Sequence, residues 1–257
     1  MTGASDIARR FRPPPGPGGD LVLFVHGLGC DGGDFAGAWD CQALDGLGLL
    51  APDLPGCGDS PDRGTDAGTV ESHAAALAAL LAEVDYGRLH IVAHSMGGAP
   101  ALLLARDGAP RLASFVNIEG NLIAEDCSMM SRRASEMDEA LFVGQKFARI
   151  VAASARAEDP QTRRWSALLG RCDPAAVHRT CRSLVEWSDG GELLAAFHAL
   201  AVPEVYAYGE RTVLPPVLHA VRGIETKCFK DTGHFVMTEN PAAFYPWLAG
   251  WLLARSH

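Results

Sequence analysis

The chain lacks the features that would point to a metal cluster, a disulfide scaffold, a membrane span or a nucleic-acid surface. Its seven cysteines, at positions 30, 41, 57, 127, 172, 181 and 228, form no C-x-x-C pair and follow no regular spacing. Neither zinc-ligand spacing nor a disulfide framework is therefore indicated. The thiols are expected to be small buried residues in a reducing compartment. No stretch approaches the ~18–20 consecutive apolar residues that a membrane span needs. Residues 1–19 hold no apolar run of the secretory-signal kind, so a soluble, cytoplasmic protein with no membrane partner is expected. Basic excess is also missing: 22 Lys and Arg stand against 31 Asp and Glu, a formal charge of −9, which disfavours nucleic acid as a partner. There is no internal repeat and no low-complexity tract.

What is present suits a globular domain. The length of 257 residues, 48% of them hydrophobic, is enough to bury a substantial core. The proline- and glycine-rich segment at 13–19 reads as turn or linker. Short apolar runs follow at 21–25, 47–51, 89–93, 115–118 and 205–208, with a weaker one at 224–229. Such runs are expected of strands buried on both faces of a parallel sheet. Between them lie helical patterns. Leu77, Leu80, Leu81 and Val84 recur at one face of a helix. Asn240 is placed to cap a last helix whose first turn holds Pro241 and whose one side carries Phe244, Trp247, Leu248, Trp251 and Leu252. Alternating strands and helices indicate an α/β architecture around a mostly parallel sheet. Over 121–199 the alternation stops. That stretch is rich in helix formers and in large apolar residues (Met129, Met130, Met137, Phe142, Phe147, Trp165 and Trp187), and it reads as a helical insertion.

Three loops carry chemistry. Ala93-His94-Ser95-Met96-Gly97-Gly98 leaves a buried strand and opens a helix, the setting of a nucleophile elbow. A serine on so tight a turn needs small neighbours, and Ala93 stands where glycine is commonest. His26-Gly27-Leu28-Gly29 leaves the first strong strand, where glycines let the chain turn and present the Leu28 N–H. Asp231-Thr232-Gly233-His234-Phe235 lies between the last strand and the last helix, so that the histidine follows the serine in chain order and emerges at the carboxyl edge of the sheet. A fourth loop, Asp53 to Ser60, reads as a turn fixed by local hydrogen bonds of its aspartates.

Taken together, His26-Gly27, Asp53 to Ser60, Ala93 to Gly98 and Gly233-His234 make the chain resemble an α/β-hydrolase fold protein with a helical cap. The resemblance spans nearly the whole chain. It implies a core of residues 1–120 and 200–257 and a cap at 121–199, inserted between strands six and seven in the family's count. It also implies Ser95 as nucleophile, His234 as general base, and the N–H groups of Leu28 and Met96 as oxyanion donors. The acid departs from the pattern. Relatives commonly carry Asp after strand seven, in a segment like Y-G-E-x-D, and here that segment is Tyr208-Gly209-Glu210-Arg211-Thr212. A threonine hydroxyl supplies no charge to stabilise an imidazolium. Glu119, after strand six, is the leading replacement, since some members of the fold place their acid there; Glu210 is the alternative. Asp231 is read as bracing the histidine loop.

The reaction implied is two-step hydrolysis of a small-molecule carboxylic ester or lactone through an acyl-enzyme, needing neither metal nor organic cofactor. Thioester and C–C bond hydrolysis use the same residues, whereas serine at the elbow disfavours haloalkane dehalogenase and epoxide hydrolase chemistry. A non-catalytic ligand receptor of the same fold is the reading from another class. The ten Lys and Arg and eleven Asp and Glu of 121–199 suit a solvated cap surface. A homodimer is compatible with everything above.

Overall fold

A computed structural model describes residues 6–64, 67–127 and 130–255; Met129 lies outside the described residues. Seven strands form one sheet in the order β1-β3-β2-β4-β5-β6-β7. They are β1 (Arg9–Arg12), β2 (Leu21–Val25), β3 (Gly48–Pro52), β4 (Leu89–His94), β5 (Leu112–Ile118), β6 (Glu204–Gly209) and β7 (Glu225–Phe229). Every pairing is parallel except that of β1 with β3. β2, β3 and β4 are buried along their whole length, as uninterrupted apolar runs require. The weaker run at β7 is a sheet edge, half solvated.

β1 stands where no strand is expected. Its sequence, Arg-Arg-Phe-Arg, has no apolar run, and its residues are largely exposed. It pairs antiparallel to β3 from Arg9 opposite Pro52 to Arg12 opposite Leu49. Charged side chains on an edge strand discourage further pairing, and that same composition hides the strand from a hydrophobicity reading.

Eleven α-helices are described: α1 (Val70–Leu81), α2 (Gly98–Arg106), α3 (Ser131–Ser135), α4 (Glu139–Leu141), α5 (Phe147–Ser154), α6 (Pro160–Leu169), α7 (Pro174–Gly190), α8 (Glu192–His198), α9 (Pro215–Ala220), α10 (Val236–Glu239) and α11 (Pro241–Leu253). α1 begins at a reciprocal cap between Thr69 and Ser72 and buries Leu77, Leu80 and Leu81. At α11, Asn240 accepts from the Ala243 N–H at 3.1 Å, and Phe244, Leu248, Trp251 and Leu252 are buried. None of the described helices is long and apolar enough to cross a membrane. All seven cysteines are free thiols, and five are buried.

Helices α3 to α8 lie between β5 and β6. In chain order of the described strands this is after the fifth and not the sixth, because a single antiparallel strand precedes β2. Phe142, Phe147, Leu169, Val177 and Cys181 pack together as a small core of their own under these helices.

The strand order locates the site. β3 lies on one side of β2 and β4 on the other, so the chain leaving β2 and the chain leaving β4 turn to opposite sides of the sheet. A crevice opens at the carboxyl ends of such strands. The His26–Cys30 loop and Ser95 sit at its two lips.

Candidate active site

β4 ends at His94, and Ser95 enters the next turn at φ 52°. An L-residue in the left-handed region costs about 1–3 kcal/mol and persists only where its surroundings enforce it. Here the enforcement is close packing. A methyl group at Gly97 would collide with the carbonyl oxygen of His26 and lie 2.6 Å from that of Val25; one at Gly27 would lie 3.1 Å from Ser95 Cβ. The two lips of the crevice thus touch through glycines. His26 holds the arrangement from below. Its Nε2 accepts the Leu54 N–H at 2.8 Å, which leaves Nδ1 to donate to the Gly27 carbonyl at 2.8 Å. Asp53 closes the adjacent turn by accepting from Gly32 and Asp59 N–H groups at 2.8 and 2.9 Å, a bracing role and not a chemical one.

Glu119 follows β5 directly and also has a positive φ, 44°. Because β5 and β6 are paired with Ile118 opposite Ala207, Glu119 reaches across to the end of β6. Its Oε1 accepts from the Gly209 N–H and from the Thr212 hydroxyl, each at 2.8 Å. Its Oε2 lies 2.8 Å from His234 Nδ1. Burial alone would raise the Glu119 carboxyl; the histidine, the peptide N–H and the hydroxyl outweigh it and hold the group below its ordinary value. Glu210 is not brought to the histidine: it is exposed, and its Oε2 accepts from the Asp231 N–H at 3.2 Å.

The loop carrying His234 is held by a residue that the sequence reading missed. Glu239 of α10 accepts from the N–H of Gly233 at 2.8 Å and of Phe235 at 3.1 Å, the two peptides flanking the histidine, and pairs with Arg211 at 2.5 Å. A carboxylate four or five residues beyond a loop histidine, at a helix end, is the signal that was available. His94 adds a further tie: its Nε2–H donates to the His234 carbonyl at 2.9 Å, and the two rings lie 4.6 Å apart. Burial, and then the neighbouring His234, hold His94 well below the usual histidine range, so it stays neutral beside the serine.

Ser95, His234 and Glu119 line one cavity of about 490 Å³, and so do Leu28 and Met96. The inserted helices supply much of its cover, through Met130, Ser131, Thr162, Trp165 and Leu184. One of them grips the crevice itself. Trp165 Nε1 of α6 donates to the Leu28 carbonyl at 2.8 Å, and a side chain on Gly29, at φ 69°, would strike Leu169. Arg164 pairs with the buried Asp34 at 2.6 Å, and Arg171, just past α6, with Asp31 at 2.9 Å.

A buried carboxylate on a histidine, a strained serine after a parallel strand and a crevice at a strand-order reversal define a hydrolase-type α/β site. The sequence profile described as the alpha/beta hydrolase family matches residues 22–247, and the chain belongs to that family; by family it is a hydrolase. An uncharacterised protein of Mycobacterium tuberculosis is 24% identical over 256 residues, covering 88% of this chain and 73% of that protein. A thermophilic esterase from Thermogutta terrifontis superposes with a TM-score of 0.75 at 20% identity, over 96% of this chain and 94% of the other. An N-acyl homoserine lactonase superposes at 0.73 with 18% identity, over 98% of both chains.

Proposed function

We propose that the protein hydrolyses carboxylic esters or lactones of small molecules by acyl transfer through Ser95. The observation that carries this reading is the contact of 2.8 Å between Glu119 Oε2 and His234 Nδ1, inside the same cavity as Ser95. An anionic Glu119 keeps the proton on Nδ1, so that Nε2 is the free base. Ser95 Oγ gives its proton to His234 as it attacks the carbonyl carbon. The N–H groups of Leu28 and Met96 receive the oxyanion, Met96 from the first turn after the elbow and Leu28 from the opposite lip. His234 then protonates the leaving alcohol, and a water deprotonated by the same nitrogen releases the acid and frees Ser95. Supporting the choice of esters and lactones are the structural likenesses to an esterase and a lactonase. In this reading residues 121–199 act as a cap over a core of 1–120 and 200–257, and set which substrates enter.

The test has two parts. A fluorophosphonate should label the wild-type protein and leave Ser95→Ala unlabelled. A turnover panel of nitrophenyl esters, lactones and acyl thioesters should then show esters or lactones as the preferred class. A folded wild-type protein that neither labels nor turns over any of them would sink the proposal.

A further inference from the structure

The cavity wall is apolar over much of its extent, with Leu28, Trp165, Val213, Leu214 and Val217 among its residues. Among the described residues, one carboxylate besides Glu119 faces it. Asp126 sits in the short 3-10 turn Ala124–Cys127 that follows β5, seven residues after Glu119. Its place relative to the serine is fixed by the same stretch of chain, because the Asn121 N–H donates to the Ser95 carbonyl at 3.3 Å. Asp126 Oδ2 accepts from the N–H groups of Leu122 and Ile123, at 2.8 and 3.0 Å. Oδ1 has no hydrogen-bond partner among the described residues.

Carboxylates elsewhere differ in this respect: Asp138, Asp159 and Asp173 each cap a helix through one oxygen, whereas others take donors on both. Asp53 engages both oxygens, with Gly32 and Asp59, and so do Asp31, with Gly33 and Arg171, and Glu239. An aspartate needed only to brace a turn does so equally well at the surface, where its second oxygen is hydrated. Burial instead pushes the Asp126 carboxyl up to about 6, despite the two peptide N–H groups. Tyr206, whose side chain is almost wholly buried, lines the same cavity, and no described residue hydrogen-bonds its hydroxyl. Burial, and then the Asp126 and Glu119 carboxylates, push its phenol well up, so it stays a neutral donor and acceptor. A carboxylate oxygen and a phenol that face the cavity without partners among the described residues are free to bind a polar group of a ligand.

We infer that Asp126, with Tyr206 beside it, recognises a hydrogen-bond donor on the substrate, so that the substrate class is an ester or lactone bearing a hydroxyl or amide N–H on its chain. This rests on the hydrolase reading above. Asp126 Oδ1 accepts the donor hydrogen, and Tyr206 satisfies the donor's own oxygen or the neighbouring carbonyl. A hydrogen bond to a carboxylate discriminates by about 10-fold to 100-fold between a ligand that makes it and one that leaves the carboxylate bare.

The experiment compares kcat/KM for matched pairs of nitrophenyl esters: 3-hydroxyhexanoate against 3-methoxyhexanoate, and N-propanoylglycinate against its N-methyl form. Methylation removes the donor and keeps the acceptor. The wild-type enzyme should favour the donor-bearing member of at least one pair by about 10-fold or more. In Asp126→Asn the side-chain oxygen remains committed to the Leu122 and Ile123 N–H groups, so the amide NH2 faces the cavity and the preference should collapse or reverse. Wild-type ratios near one for both pairs overturn the inference without need of the variant, and so does a ratio unchanged in Asp126→Asn. Fluorophosphonate labelling run on the same samples separates the two levels. Labelled Ser95 with no donor preference defeats only the inference, while an unlabelled and inactive wild type defeats the hydrolase reading and the inference together.

Discussion

Thr212 Oγ1 and His234 Nδ1 each lie 2.8 Å from Glu119, on opposite oxygens of the one carboxylate. The residue standing where relatives commonly carry their acid therefore serves as a donor to an acid that comes from the neighbouring strand. The displacement is short because β5 and β6 are adjacent and parallel and both end at the same edge. It also fixes the carboxylate's orientation, since Oε1 already takes two donors and only Oε2 is left for the histidine.

That orientation predicts the outcome of Glu119→Gln. The glutamine oxygen will take the Gly209 N–H and the Thr212 hydroxyl, which places the NH2 against His234 Nδ1. The ring must then accept at Nδ1 and carry its proton on Nε2, the tautomer that cannot act as base. We expect kcat for a nitrophenyl ester to fall on the order of 10³–10⁴-fold with the fold intact. Glu210→Gln, whose carboxylate serves the Asp231 N–H, should keep most of the activity. Acid stability should change as well. Because the folded-state value of Glu119 lies below its ordinary one, its charge contributes stability that is present above the ordinary carboxylate range and is lost as pH falls through the folded value. A Tm-versus-pH series on wild type and Glu119→Gln should show the smaller acid-side loss in the variant.

The acid can be moved back. Thr212→Asp alone sets a second carboxylate against Glu119 and should lower activity, because adjacent like charges raise one another's pKa and weaken the hold on His234. Combined with Glu119→Gln, it should recover at least about tenfold over the single Gln variant. Steady-state kinetics on the three proteins decide it, and a double variant no better than Glu119→Gln would show that position 212 no longer reaches the histidine.

How much of this was legible beforehand follows from the range of the interaction that makes each feature. β2, β4 and the elbow are local facts: an apolar run, then small residues where a strand must turn into a helix. The Glu119 assignment drew on a vacancy at Thr212, visible because a motif of adjacent residues was incomplete. β1 was hidden because an exposed edge strand needs no apolar run. Asp126 and Trp165 were invisible for a different reason. Each acts on backbone groups, and the side chain alone does not reveal which peptide a carboxylate or indole will meet once the helices have packed.

Glu239 predicts a separation of effects. Its carboxylate takes the peptides on either side of His234, so Glu239→Ala should loosen the histidine and cost about 1–3 kcal/mol of stability. For a chain of this length each kcal/mol corresponds to roughly 2–4 °C in Tm. A misplaced base should lower kcat by about 10-fold to 100-fold with little change in KM. Glu239→Gln, which retains one acceptor oxygen, should recover part of kcat. Loss of stability with unchanged kcat would make Glu239 purely structural.

Asp126 predicts a pH dependence of opposite sign to that of Glu119. Its folded value, about 6, lies above the ordinary 3.8, so the folded protein binds the proton more tightly than the unfolded chain. Its contribution to stability therefore declines as pH rises from about 4 to about 6 and stays lost above that. Glu119, Glu125, Cys127 and Tyr206 are titratable neighbours, and the two glutamates act in the same direction by raising Asp126. Asp126→Asn should accordingly have a higher Tm than wild type at pH 8, with the gap closing towards pH 4. Thermal scans across that range would contradict the assignment if the gap were constant.

In the proposed mechanism Trp165 links the inserted helices to catalysis. Its indole N–H holds the Leu28 carbonyl, so the adjacent Leu28 N–H is aimed by a residue that belongs to α6 and not to the sheet. Removing an oxyanion donor outright costs about 10²–10³-fold in kcat, and loosening one costs a fraction of that. Trp165→Phe keeps most of the ring volume against Gly29 while deleting the N–H, and we expect kcat to fall by about 3-fold to 10-fold. The fluorophosphonate labelling rate should fall in parallel, because phosphonylation uses the same oxyanion donors. A drop confined to KM would mean that Trp165 contacts the substrate and leaves the Leu28 peptide unmoved.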